Sequence, residues 1–232
     1  MAFINMHGIS LSFDGVPLFN GIDLTVERRE RIGLVGRNGS GKSTLLRLIE
    51  GSLKPDSGAA SVLKGAHIAY LSQQVPHDIS GTAFDVVASG NRQYGGLVRK
   101  QRSSELLDKD TTPMAEKSDG THHTLEMEGG WYLSKMLSQL GVDADCAFNS
   151  LSTGLKRQVL LKKALAGEPE ILLLDEPTNH MDIDSIKELE KMMVRFSGAL
   201  IFVTHDRMFL QRIATRIVEI DRGRLSDQAC DY

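Results

Sequence analysis

Cysteine is nearly absent from this chain of 232 residues, Cys146 and Cys230 being its whole complement. So sparse a set excludes a disulfide-stapled scaffold and suits a reducing compartment, and the cytoplasm is the expected location. Long apolar runs are missing as well. None approaches the roughly 18 residues needed to span a bilayer, so no membrane insertion is expected. The first residues carry neither the charged start nor the apolar stretch of a secretory signal. Charge of one sign is also lacking: a net charge of −3 gives no global attraction to nucleic acid, and any RNA or DNA contact must be local. No internal repeat or low-complexity tract stands out. What remains is ordinary for a globular protein, with 41% hydrophobic and 25% charged residues. A chain this long buries a substantial core as one domain of moderate size, with room for an appended lobe.

Against that plain background, one segment carries specific chemistry. Gly36-Arg37-Asn38-Gly39-Ser40-Gly41-Lys42-Ser43 fits the phosphate-binding pattern G-x-x-x-x-G-K-[ST]. Leu34 and Val35 end an apolar run, so the chain leaves a buried strand and turns sharply. Gly36, Gly39 and Gly41 permit backbone angles and close approaches that a side chain would block. The run from Ser43 to Glu50 reads as a helix, with Leu45, Leu46, Leu48 and Ile49 on its apolar face. Its N-terminal amides point back at the loop, where anions are stabilised. Lys42 has the reach for the β- and γ-phosphates, and the Ser43 hydroxyl for magnesium. The alternative, a glycine-rich turn before an ordinary helix, loses its force once two later segments are considered.

Those are Leu151-Ser152-Thr153-Gly154 and Ile171-Leu172-Leu173-Leu174-Asp175-Glu176-Pro177. Ile171 to Leu174 is a near-continuous apolar run, the mark of a parallel strand buried on both faces. Asp175 and Glu176 stand at its C-terminal end, where α/β sheets place ligands. Adjacent carboxylates there make sense if the first helps hold a metal and the second handles water. A solvated acidic turn before the helix that opens near Asp182 is the bland alternative. The Ser152 segment precedes a helix expected to open near Leu155 and offers a hydroxyl and backbone amides as a second phosphate clamp.

The three segments, in this order, resemble those of ATP-binding cassette (ABC) ATPases. Asp175-Glu176-Pro177-Thr178-Asn179-His180-Met181-Asp182 resembles the ABC-F branch, soluble proteins without membrane domains, many of them ribosome-associated translation factors. The opening, the short insert and Ala214-Thr215-Arg216-Ile217-Val218-Glu219-Ile220-Asp221-Arg222-Gly223 look closest to its Uup-like group. The resemblance implies an α/β P-loop NTPase fold: an ABC nucleotide-binding domain with an antiparallel β subdomain and an α-helical subdomain. ATP and Mg²⁺ are the implied cofactors.

Roles carry over position by position. Gly36, Asn38, Gly39, Ser40, Gly41, Lys42, Ser43 and Thr44 match the nucleotide-binding loop. Phe13 matches the aromatic that stacks on adenine; its alternative is a core position on an alternating strand with Ile9 and Leu11. Gln73 matches the glutamine that touches magnesium and the attacking water, although Gln74 beside it leaves the register open. Asp175 would hold magnesium through water, with Ser43 and Gln73 as its other contacts. Glu176 would polarise the nucleophile, and His205 would contact the γ-phosphate. Asp182 matches the aspartate that communicates across a dimer. Most family members read Leu-Ser-Gly-Gly at the second clamp, whereas this chain has Thr153 at the first glycine and Leu155 after the second. Ser152 and Gly154 are intact, which preserves phosphate capture and puts the rate in question.

Along the chain, short β-rich segments are expected from Ala2 to Val26, then strands around Ala60 to Val62 and Ile68 to Leu71. Thr82 to Ser89 reads as a short helix. Residues 91–128 shift to mixed charge with few large apolar residues, where ABC-F proteins carry a helical arm; His122-His123 within it read as solvated loop residues. Trp131 to Leu140 resumes helical spacing, with Leu133, Met136, Leu137 and Leu140 on one face. Ala199 to Val203 reads as a strand. The whole of 1–232 is expected to be a single cassette, an N-terminal half whose linker and second cassette are absent. The expected activity is ATP hydrolysis, weak in isolation, with closure against a second cassette in the full-length chain or by homodimerisation. The ribosome is the first candidate target. An ABC-transporter ATPase subunit and a DNA-associated, ATP-gated binding module are the alternatives.

Overall fold

The computed structural model describes residues 2–76, 78–91 and 131–229, in two compact units. The expected arm at 91–128, the His122-His123 pair and Cys230 lie, but for Asn91, outside the described residues.

Both sheets belong to the first unit. β1 (Ala2–Phe13) and β2 (Val16–Glu27) form an antiparallel hairpin, and β4 (Ser57–Val62) pairs with the far edge of β1. The hairpin turns at Asp14-Gly15, both at positive φ. β-rich character was legible from Ala2 to Val26; what emerges are two long strands rather than several short ones. Their alternation buries Ile4, Met6, Ile9 and Leu11 on one face and exposes the residues between.

The second sheet runs β5-β6-β7-β3-β8-β9. Here β3 is Arg31–Gly36, β5 Ile68–Leu71, β6 Ile171–Asp175, β7 Ala199–Val203, β8 Arg216–Asp221 and β9 Arg224–Ala229. All neighbours are parallel except β8 and β9. β6 and β7 are buried at every residue, as strands covered on both faces must be. On one face, Ile171, Leu173, Ala199, Ile201 and Val203 share a core with Leu45, Leu46, Leu48 and Ile49 of α1 (Lys42–Glu50) and with the antiparallel hairpin. On the other, Phe202 meets Phe209 of α6 (Arg207–Ile213) edge to face, with centroids 5.4 Å apart. α6 also comes so close to β3 that a Cβ on Gly33 would lie 2.2 Å from Leu210 Cδ1. α5 (Ile183–Arg195) packs beside α6.

Among its described residues, the second unit (75–168) holds helices, a 3-10 turn at Phe148–Ser150 and an isolated bridge between Thr82 and Ala147, but no strand. α2 (Ala83–Ala88) begins at a capping box, in which the Thr82 hydroxyl accepts from Asp85 N–H and the Asp85 carboxylate accepts from Thr82 N–H. α3 is described at 131–138, with Leu133 and Leu137 fully buried. Met136 is half-buried, and Leu140 falls in the turn beyond the helix, so the predicted apolar face narrows to the i, i+4 pair. α4 (Thr153–Ala166) packs on α2. The antiparallel sheet, the mainly parallel sheet and the helical unit are the parts that the sequence led us to expect.

Candidate functional site

β3 ends in a loop that turns back on itself before α1. Lys42 Nζ donates to Gly36 O at 2.7 Å and to Arg37 O at 2.9 Å, so the lysine ties the loop into a ring around its own ammonium. Gly36 is indispensable for packing: a Cβ there would lie 2.5 Å from Ile220 O and 2.8 Å from Ser40 Oγ. Gly41 takes the N-cap position of α1 at φ 103° and supplies no side-chain cap. The first amides of α1 therefore have no side chain to satisfy them and remain available to an anion. Ser40 Oγ is buried and has no hydrogen-bond partner among the described residues, which fits a loop shaped for a ligand.

This loop forms one wall of a cavity of about 610 Å³. Asn38, Gly39, Gly41, Lys42, Ser43 and Thr44 line that wall; Phe13 and Leu18 of the hairpin line another; Gln73, Asp175, Glu176, Asn179, Val203 and His205 complete it. A Cβ at Gly39 would meet nothing within 4 Å, so the loop leaves open space where a side chain would otherwise stand. Phe13 is 50% exposed while Ile9 and Leu11 before it are buried, so its ring is a surface of the cavity and not of the core. Gln73 faces the cavity. Gln74 is not among the lining residues, and its carbonyl accepts from Ser72 Oγ at 2.7 Å.

The carboxylates are held differently. Asp175 ends β6 at 2% exposure, and Tyr70 Oη donates to its Oδ2 at 3.3 Å. Burial first, and the Asp175 charge second, push the Tyr70 hydroxyl up to about 12, so it remains a donor at neutral pH. Glu176 is 4% exposed and takes φ 51°, a left-handed backbone that turns the chain off the strand. Its amide donates to Val203 O at 2.9 Å. Its side chain is fixed at both oxygens: His205 N–H donates to Oε2 at 3.2 Å, and His205 Nε2 lies 3.2 Å from Oε1. Behind them the Thr178 and Thr204 hydroxyls lie 3.3 Å apart, joining the loop after β6 to the loop after β7.

The donors suit a hard divalent cation, magnesium among them. Ser43, Gln73 and Asp175 offer hard oxygens at one cavity, and no cluster of three or more His, Cys, Asp or Glu side chains able to hold a metal occurs among the described residues. Magnesium needs no such cage, because it is bound through one or two carboxylates together with waters and phosphate oxygens.

Some expected site residues stand elsewhere. Asp182 caps α5, accepting from Ser185 N–H at 2.8 Å, and is not among the cavity residues. That hydrogen bond is the main reason its carboxyl is held below the usual range. Ser152 and Gly154 belong to the helical unit. Ser152 caps α4 by accepting from Leu155 N–H at 3.3 Å, so the helix opens at Thr153 and not near Leu155. The sequence reading gave Leu18, Tyr70 and Asn179 no role in the site. Leu18 is reached only through the hairpin; Tyr70 and Asn179 both stand in segments singled out for other residues, and Tyr70 meets Asp175 only through strand register.

Comparison with known proteins agrees with this arrangement. Residues 19–179 match the family model described as "ABC transporter". The chain is 38% identical to ATP-binding protein Uup of Escherichia coli (strain K12) across 100% of its own length and 38% of Uup. It is also 38% identical to the energy-dependent translational throttle protein EttA of Mycobacterium tuberculosis (strain ATCC 25618 / H37Rv), over 84% of this chain and 36% of that one. The chain therefore spans well under half the length of these relatives. Among solved structures, a nucleotide-free ATP-binding cassette from an ABC transporter superposes with a TM-score of 0.74 at 17% identity, covering 100% of this chain and 92% of the other. At that identity the likeness speaks for the fold alone.

Proposed function

This chain belongs to the ABC transporter family, as an ATP-binding cassette of the ABC-F type, and we propose that it hydrolyses ATP to ADP and phosphate, closes against a second cassette as it does so, and acts on the ribosome. The observation that carries the hydrolytic reading is Glu176, buried at the cavity and held at both oxygens by His205. A carboxylate so fixed accepts a proton from an attacking water without first having to reorient. Lys42 and the first amides of α1 hold the β- and γ-phosphates, and Phe13 stacks on the base. His205, which contacts Glu176, serves as the γ-phosphate contact on this reading. Ser43, Gln73 and Asp175 are the residues that would hold magnesium, which when bound offsets phosphate charge.

The match to a translational throttle protein supports the ribosome as target. No helix among the described residues is long and apolar enough to cross a membrane. Glu176→Gln keeps size and hydrogen bonding but cannot accept the proton. We expect ATP to bind the variant while turnover falls on the order of 10²–10⁴. Wild-type turnover in the variant, measured as phosphate release, would require another base. Pelleting of the same variant with ribosomes in the presence of MgATP tests the target; retention on branched DNA instead would move the partner to nucleic acid outside translation.

A further inference from the structure

Tyr70 opens the segment that ends in Gln73 and has no role in the sequence reading, yet it reaches the carboxylate at the centre of the site. The strand register explains how. Tyr70 pairs with Leu173 across the parallel β5–β6 ladder, and Asp175 stands two residues further along β6. Side chains two apart on a strand share a face, so Tyr70, Leu173 and Asp175 all project toward the side on which α1 packs. A phenol is long enough to span the diagonal to Asp175, and its Oη donates to Oδ2 at 3.3 Å. The Arg47 guanidinium, five residues after Lys42 on the exposed side of α1, brings a positive charge near the same hydroxyl. A hydroxyl that donates to a carboxylate is oriented by it, and a cation nearby supports that orientation.

We propose that Tyr70 is a positioning residue for the cavity: its hydroxyl, hydrogen-bonded to Asp175 and beside the Arg47 charge, fixes the rotation of the Asp175 carboxylate and so sets how well magnesium is held beside ATP. This rests on the reading of the cavity as a MgATP site. The arrangement also links β5 to the end of β6, so the orientation of Asp175 is set from the neighbouring strand. Outer partners of this kind typically alter metal affinity by about 10- to 100-fold when removed.

The test is Tyr70→Phe, which keeps the half-buried ring and deletes only the hydroxyl. ATP binding is measured by calorimetry in EDTA and then across a Mg²⁺ titration. We expect nearly unchanged affinity in EDTA and a Mg²⁺ midpoint raised about tenfold or more. A midpoint equal to wild type overturns the proposal, as does a loss of affinity that is the same with and without Mg²⁺, since that reports general distortion. Arg47→Met, at an exposed position of α1, should shift the midpoint in the same direction by less. If circular dichroism shows Tyr70→Phe to be unfolded, Arg47→Met decides, and no shift in it overturns the proposal. A wild-type protein whose ATP binding ignores Mg²⁺ fails on its own, and that outcome removes the MgATP reading itself together with what rests on it.

Discussion

Glu176 is the residue on which folding and chemistry compete. Its φ of 51° is a conformation that costs a non-glycine residue about 1–3 kcal/mol, and it buries a carboxylate whose compensation comes from His205. Strain of this kind persists where surrounding contacts over-determine the backbone, here the Glu176 N–H to Val203 O bond and the adjoining ladder of β6 and β7. Lys42 is similarly double-purposed, since it closes the loop through Gly36 O and Arg37 O before any phosphate arrives. Lys42→Ala should weaken MgATP binding at least tenfold, about 1.4 kcal/mol, in a calorimetric titration. Equal affinity would show that the loop's amides suffice. Tyr70 gives a pH signature. Its folded hydroxyl titrates near 12 against 10 in the unfolded chain, so the unfolded state holds fewer protons in that window. The linked stability is fully present below pH 10 and is lost as pH rises toward 12. Urea midpoints taken from pH 9 to 11.5 should fall more steeply for wild type than for Tyr70→Phe.

At the scale of elements, helix caps decide where the catalytic groups stand. α6 has only seven residues, too short to persist on propensity alone. Asp206 caps it by accepting from Met208 N–H at 2.9 Å and Phe209 N–H at 3.1 Å. The cap fixes the residue next to His205, and Thr204 Oγ1 accepts from Asp206 N–H at 3.0 Å on the other side. Asp206→Ala should destabilise the fold by about 1 kcal/mol in denaturant melts, and Asp206→Asn should restore most of it. If alanine cost nothing, α6 would be held by the Phe202–Phe209 contact alone. α4 shows the same device put to a different use. Its cap is Ser152 itself, so Thr153 and Gly154 fall in the first helical turn, where unpaired amides lie. The branched Thr153 thus occupies the first helical turn, beside those amides.

For the molecule as a whole, the resemblance places each ATP between the phosphate loop of one cassette and the Ser152 segment of another. On the proposed reading, hydrolysis would belong to a pair. At low concentration the chain should bind ATP as a monomer and turn it over slowly, with specific activity rising as protein is concentrated. Glu176→Gln with MgATP should trap a dimer, and adding Ser152→Arg should abolish the trap without preventing ATP binding, because a long cation would fill the closing surface. Sedimentation velocity of these variants, with activity across a dilution series, checks the expectation. Full activity in a species that stays monomeric at every concentration would show that one cassette suffices.

Local chemistry by itself determined a large part of this protein. Glycines at Gly36, Gly39 and Gly41 before Lys42, an apolar run ending in Asp175-Glu176, and a Thr-His-Asp after Ala199 to Val203 each require a strand end, a turn and a charged group at fixed spacing. Such requirements are written within a few residues. They gave the phosphate loop, the buried strands Ile171–Asp175 and Ala199–Val203, and the starts of the helices at Lys42, Ala83, Thr153 and Ile183 to within two residues. Tertiary structure alone decided what meets across long separations. Phe13 belongs to the cavity because the hairpin ends there, which alternation with Ile9 and Leu11 could not reveal. Gln73 rather than Gln74 faces the site because of how the chain leaves β5. Tyr70 reaches Asp175, 105 positions away, through a register that β5 and β6 acquire only on pairing. Periodicity shows which face of a strand is apolar; it does not show which neighbour that face will find, because the choice of partner is made by the packing of the whole sheet.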